Sequence, residues 1–106
     1  MAKKILIIDD SALMRRVISD IIKTNKQYEV ADFARDGLEG FDRIVSHPKM
    51  YDAIILDINM PKMNGLELLE MLQKNHIQET VIVVSTVAKE GAKETIKALE
   101  LGAFDF

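Results

Sequence analysis

The chain has no cysteine, no tryptophan and only two prolines among its 106 residues. Without a thiol it has no disulfide scaffold, no thiolate zinc site and no cysteine nucleophile, which suits a reducing cytoplasm. Positive charge is not in excess either. Fourteen basic residues stand against 17 acidic ones, for a net charge of −3, so a basic surface for nucleic acid is not expected. Long apolar runs are also missing. No segment approaches the ~20 residues of a membrane-spanning helix. The opening "MAKKILII" ends in Asp9 and Asp10 too soon to serve as a secretory signal. What is there is 48% apolar and 29% charged, the balance of a globular protein with one core. Residues 1–106 read as a single domain with no linker, repeat or low-complexity tract.

Three runs are apolar throughout: "ILII" (5–8), "AIIL" (53–56) and "VIVV" (81–84). Strands of this kind are covered on both faces, as in a parallel sheet. "YEVADFA" (28–34) is more mixed and reads as an edge strand, and "AFDF" (103–106) is a fifth candidate. Helical periods lie between them. Met14, Val17, Ile18, Ile21 and Ile22 form one apolar stripe, with Ser11 placed to cap the helix. Leu38, Phe41 and Ile44 or Val45 line a second helix, and Leu68, Leu69, Met71 and Leu72 a third. A fourth, from Lys89 to Leu101, has a weaker stripe of Ala92, Ile96 and Leu99, and Gly102 suits its left-handed end. The alternation βαβαβαβαβ implies right-handed crossovers and an α/β sandwich.

In such a sheet the loops at the carboxyl ends of the strands hold the site, where neighbouring strands send their helices to opposite faces. Asp9 and Asp10 end the first strand and Asp57 ends the third, in "AIILDINMPKMNG". If those strands are neighbours, three carboxylates converge and repel one another. A hard divalent cation such as magnesium relieves the repulsion, since it takes oxygen ligands and keeps several waters. A phosphate-cradling loop would instead need glycines, and neither GxGxxG nor GxxxxGK occurs. A carboxylate beside such a cation can act as a nucleophile toward phosphorus. Asp57 is the better candidate: it is single, at a strand end, and followed by a loop with Pro61 and Gly65 that leaves room for a phosphoryl group. The bland alternative is that Asp9 and Asp10 only punctuate a turn.

"IDDSALMRR", "LDINMPKMNG", "VVSTVAKEG" and "LELGAFDF" together resemble the receiver domain of two-component response regulators over the whole chain. "DDSALMRR" and "ALELGAFDF" are most similar to the N-terminal receivers of chemotaxis protein-glutamate methylesterases. The resemblance implies a flavodoxin-like, doubly wound, five-stranded parallel sheet of order 2-1-3-4-5. It implies that Asp57 accepts a phosphoryl group from the histidine of a sensor kinase. It implies that Asp10 binds magnesium directly and Asp9 through water, while Asn59 lends its backbone carbonyl. Ser85 would turn its hydroxyl toward the phosphoryl group, and Phe106 would be the aromatic that swings inward, reshaping an output surface over 89–106.

The family places a lysine, followed by proline, a few residues beyond "GAFDF", and then a last helix; this sequence stops at Phe106. The esterase domain of the methylesterases is likewise not in it, so no esterase chemistry is expected of this chain. A phosphoacceptor switch is the leading function. A receiver-fold fragment or engineered scaffold that no longer switches is the alternative. A haloacid-dehalogenase-like phosphatase is a further one, disfavoured because Asn59 stands where the second acid should be. His47 and His76 read as surface or capping residues rather than metal ligands. Without a last helix, one flank of the first helix loses its cover, which favours association or swapping between chains. A chain ending at Phe106 is therefore expected to self-associate or to be poorly stable. Light scattering and a thermal melt check this, and a monodisperse monomer with a cooperative melt contradicts it.

Overall fold

The computed structural model describes residues 2–58, 60 and 63–84. The element order is β1 (Lys3–Ile8), α1 (Ala12–Lys23), β2 (Tyr28–Ala34), α2 (Gly37–Ser46), β3 (Ala53–Asp57), α3 (Gly65–Lys74) and β4 (Val81–Val84). The strands form one sheet of order β2-β1-β3-β4, and every pairing is parallel. The four strands therefore follow the expected order and, at β2 and β4, the expected bounds. The expected fifth strand and fourth helix lie outside the described residues.

Burial explains the strand pattern. Leu6, Ile7 and Ile8 of β1 and Ile54 and Leu56 of β3 are fully enclosed, because β1 and β3 have a strand on each side and helices over both faces. Among the described residues β2 has a partner on one side only, and it stays half-open, with Tyr28 and Phe33 exposed. Its pairing with β1 shifts register between Ile5 and Leu6, where Ala31 is passed over.

The helices are capped by short polar side chains. Ser11 Oγ accepts from Met14 N at 3.2 Å, as expected. Asp36 Oδ1 accepts from Glu39 N at 2.8 Å at the start of α2. Asn64 and Glu67 form a reciprocal capping box on α3. His47 is the C-cap of α2, and His76 follows the end of α3; both are exposed.

One helix shows an open flank, as the sequence reading expected, and another departs from its expected face. On α1 the stripe divides: Met14, Ile18 and Ile22 are half-buried, while Val17 (41% exposed) and Ile21 (65%) join Leu13 (70%) on an open flank. Periodicity groups apolar residues on a helix but does not say how far the neighbouring layer reaches around it. On α2, Ile44 is buried and Phe41 half-buried, whereas Leu38 and Val45 are exposed. The contact with the sheet runs through Gly40, where a Cβ would fall 2.5 Å from Ile8 Cδ1. An apolar-period count gives no weight to such a glycine. The α3 reading stands, with Leu68, Leu69 and Leu72 buried.

A polar cluster ties β2 to the far end of α2. Tyr51 is 6% exposed. Its hydroxyl donates to Asp32 Oδ2 at 3.2 Å, and Arg43 Nη1 lies 3.6 Å from the same oxygen. Burial, then the Asp32 charge, pushes the Tyr51 phenol up to about 12. That is above the value of an unfolded tyrosine, about 10. Its contribution to stability is therefore whole below about pH 10 and lost as pH rises toward 12. Denaturant melts across this window are expected to show that loss, and Tyr51→Phe to reduce it; equal slopes in the two proteins contradict the account.

Candidate functional site

Chain direction places the site. From β1 the chain crosses through α1 to β2 on one side, and from β3 it crosses through α3 to β4 on the other. Right-handed crossovers then put α1 and α3 on opposite faces. The crevice between them opens at the carboxyl ends of β1 and β3. There the structure brings together the three carboxylates the sequence singled out. Asp9, Asp10 and Asp57 each offer an oxygen, and these oxygens lie within 4.8 Å of one another. Asp9 is 2% and Asp57 4% exposed, while Asp10 is exposed.

Asp9 is held from several directions. Its N–H donates to Ala34 O at 3.0 Å, which continues the β1–β2 pairing past the strand end. Its Oδ1 accepts from Ser11 N at 2.9 Å. Its Oδ2 is buried with no hydrogen-bond donor among the described residues. Burial raises the Asp9 carboxyl above the usual carboxylate range; the Ser11 N–H opposes this, Asp10 adds to it and Arg15 opposes it. An enclosed carboxylate oxygen without a donor, beside two further carboxylates, is unfavourable as it stands. The donor set is all oxygen and strongly negative, so it fits a hard divalent cation. Asp9, Asp10 and Asp57 are the described residues that would hold one.

The segment after Asp57 is tightly seated. Ile58 and Met60 are buried. Gly65 N donates to Ile58 O at 2.9 Å. A Cβ on Gly65 would fall 2.6 Å from Asp57 O and 2.8 Å from Ile58 Cα. Backbone atoms cannot yield as side chains do, so glycine is required where α3 starts against the end of β3. Met63, in the left-handed region at φ 49°, accepts from Gly37 N at 2.9 Å, which fastens this loop to the start of α2. Asn59, Ser85 and Phe106, the remaining expected site residues, lie outside the described residues. The sequence reading left one contact unassigned: Arg15, whose guanidinium bonds to the Asp9 carbonyl at 2.6 Å. Its one sequence signal is position, in the first turn of the helix that follows the acidic pair.

Relief of the buried charge is measurable. In a chelator, Asp9→Asn removes the unfavourable carboxylate while its amide oxygen still accepts from Ser11. Its melting midpoint is expected to rise by on the order of 5 °C, the shift that about 1 kcal/mol produces in a chain of this size. A lower midpoint than wild type under the same conditions contradicts the electrostatic account.

Comparison with known proteins gives a concordant picture. The family model for the response regulator receiver domain matches residues 5–106. A protein-glutamate methylesterase/protein-glutamine glutaminase of Pyrococcus horikoshii is 45% identical over 103 residues, covering 97% of this chain and 27% of that protein. The chain thus spans roughly a quarter of the length of such relatives. The crystal structure of the response regulator domain of Thermotoga maritima CheB superposes with a TM-score of 0.87 at 42% identity, covering 100% of this chain and 77% of that one. The CheX–CheY–BeF3–Mg complex from Borrelia burgdorferi superposes with a TM-score of 0.84 at 29% identity, over 95% and 73% of the two chains. The fold is flavodoxin-like α/β, and the chain belongs to the response regulator receiver domain family, among the receivers of CheB-type chemotaxis proteins.

Proposed function

We propose that the chain is a phosphoacceptor switch in a chemotaxis phosphorelay, with Asp57 as the acceptor. The observation that carries this is the convergence of Asp9, Asp10 and Asp57 at the carboxyl ends of β1 and β3. An acidic crevice repels a phosphate group unless a cation intervenes, so the same triad makes the reaction dependent on a divalent ion, which we take to be magnesium. When bound, that ion supplies charge neutralisation to the transferred group and to the carboxylates.

The chemistry of the chain's own residues is then brief. An Asp57 carboxylate oxygen attacks phosphorus of a phosphohistidine on a sensor kinase. The new O–P bond forms as the P–N bond breaks, and the imidazole leaves and takes up a proton from solvent. Asp57 is taken as the acceptor because it stands singly at the end of β3, ahead of the loop that carries Pro61 and Gly65. Asn59 would add its backbone carbonyl to the cation. Ser85 would donate its hydroxyl to the phosphoryl oxygens, and Phe106 would follow it inward, so that the 89–106 face becomes the surface read by an output domain or target. The setting is the cytoplasm. The esterase activity named for the longer relatives belongs to proteins of which this match covers about a quarter, and the role proposed here is the switch alone.

The test is intact-mass spectrometry before and after incubation with magnesium and acetyl phosphate, with Asp57→Asn as control. The expected result is a gain of one phosphoryl group in wild type, lost on adding chelator beforehand and absent from Asp57→Asn. No gain in folded wild-type protein, or an equal gain in Asp57→Asn, overturns the proposal.

A further inference from the structure

Arg15 is the fourth residue of α1, half-buried, with its own N–H donating to Ser11 O at 2.9 Å. Its side chain turns back along the chain, and Nη1 donates to the backbone carbonyl of Asp9 at 2.6 Å. A charged donor at that distance makes one of the stronger kinds of hydrogen bond. The carbonyl it takes is not an arbitrary one. It belongs to the peptide unit that joins Asp9 to Asp10. That unit is planar, so fixing its oxygen fixes the rotation of the whole plane. The directions in which the two acidic side chains leave the backbone are then fixed as well. On the Asp9 side the plane is met by two further restraints, the Asp9 N–H on Ala34 O and the Ser11 N–H on Oδ1. The oxygen left over is Oδ2, buried and without a donor among the described residues, in the cluster where Asp10 and Asp57 also present oxygens.

We infer that Arg15 is a positioning residue for the cation: through the Asp9 carbonyl it holds the acidic pair in the orientation that, with Asp57, accepts a divalent ion. This inference rests on the cation reading of the triad given above. It makes a prediction of definite sign, because Arg15 acts on the site in two opposed ways. Its positive charge lies close enough to favour the ionised form of Asp9, and the same charge repels an incoming cation. If charge were all that mattered, removing Arg15 would tighten cation binding. If the held peptide plane matters more, removing Arg15 weakens it. Loss of a group that orients metal ligands costs roughly 10–100-fold in affinity, more than one partly solvated charge contributes at a distance.

The experiment titrates Mn2+ against the chain and reads free ion by electron paramagnetic resonance, with melting curves in chelator run in parallel. Arg15→Met keeps the aliphatic stem and removes donor and charge; Arg15→Lys keeps the charge and a single, more flexible donor. Arg16→Met removes a neighbouring exposed arginine. The expected Kd for Arg15→Met is weaker than wild type by roughly tenfold, with Arg15→Lys between the two and Arg16→Met close to wild type. A Kd for Arg15→Met equal to or tighter than wild type overturns the inference, even where its melting midpoint in chelator falls. Equal weakening in Arg16→Met also overturns it. Should Arg15→Met not fold, Arg15→Lys decides: weaker binding than wild type supports the role, and equal binding refutes it. If wild type binds no Mn2+, the cation reading itself fails and this inference falls with it.

Discussion

Three carboxylates held within 4.8 Å of one another at the end of a buried sheet are the constraint on which the rest of this structure turns. Like charges do not collect in a crevice by themselves. They are brought there because β1 and β3 pair along Ile5 to Ile8 and Ala53 to Leu56, and because both strands are enclosed by apolar side chains. Burial of those strands, in the range of tens of cal/mol for each Å² of apolar surface, holds the backbone against the repulsion. The stability of the core and the reactivity of the site are thus in opposition at one place. Such opposition is a mark of a functional site, and here its natural relief is a bound cation.

The surroundings of the triad limit how it can relax. Asp9 is fastened on its N–H, its Oδ1 and its carbonyl. Asp57 is followed by buried Ile58 and by a loop that returns to it through Gly65, where no Cβ has room. The same loop is anchored to α2 through Gly37 and Met63. Asp10 is the exposed member. The crevice thus has two enclosed carboxylates and one open to solvent.

Much of the fold was legible in the sequence because both faces of the central strands are covered. "ILII", "AIIL" and "VIVV" need no phase to be recognised, and β2 declared itself an edge strand through the mixture in "YEVADFA". The triad was legible for a related reason: in a parallel sheet the residue that ends a strand is a position in space, so Asp9, Asp10 and Asp57 could be placed before any contact was known. Helix faces were less legible. Leu38 and Val45 carry the right period and yet are exposed, since period says nothing about how wide the covering layer is. Gly40 makes the contact instead. Contacts carried by long side chains were not legible at all. Arg15 reaches back six residues to a backbone oxygen, and Tyr51 meets Asp32 across a helical crossover; the first lies within "DDSALMRR", but its spacing gives no sign of the contact, and the second leaves no repeat or motif.

The central claim is that Asp57, among three adjacent carboxylates, is the one that takes a phosphoryl group. Borohydride reduction of the acetyl phosphate-treated chain converts an aspartyl phosphate to homoserine, and peptide sequencing by mass spectrometry then locates it. Homoserine in place of Asp57 alone is the predicted result. Homoserine in place of Asp9 or Asp10, or none in a folded chain with magnesium present, would contradict the account.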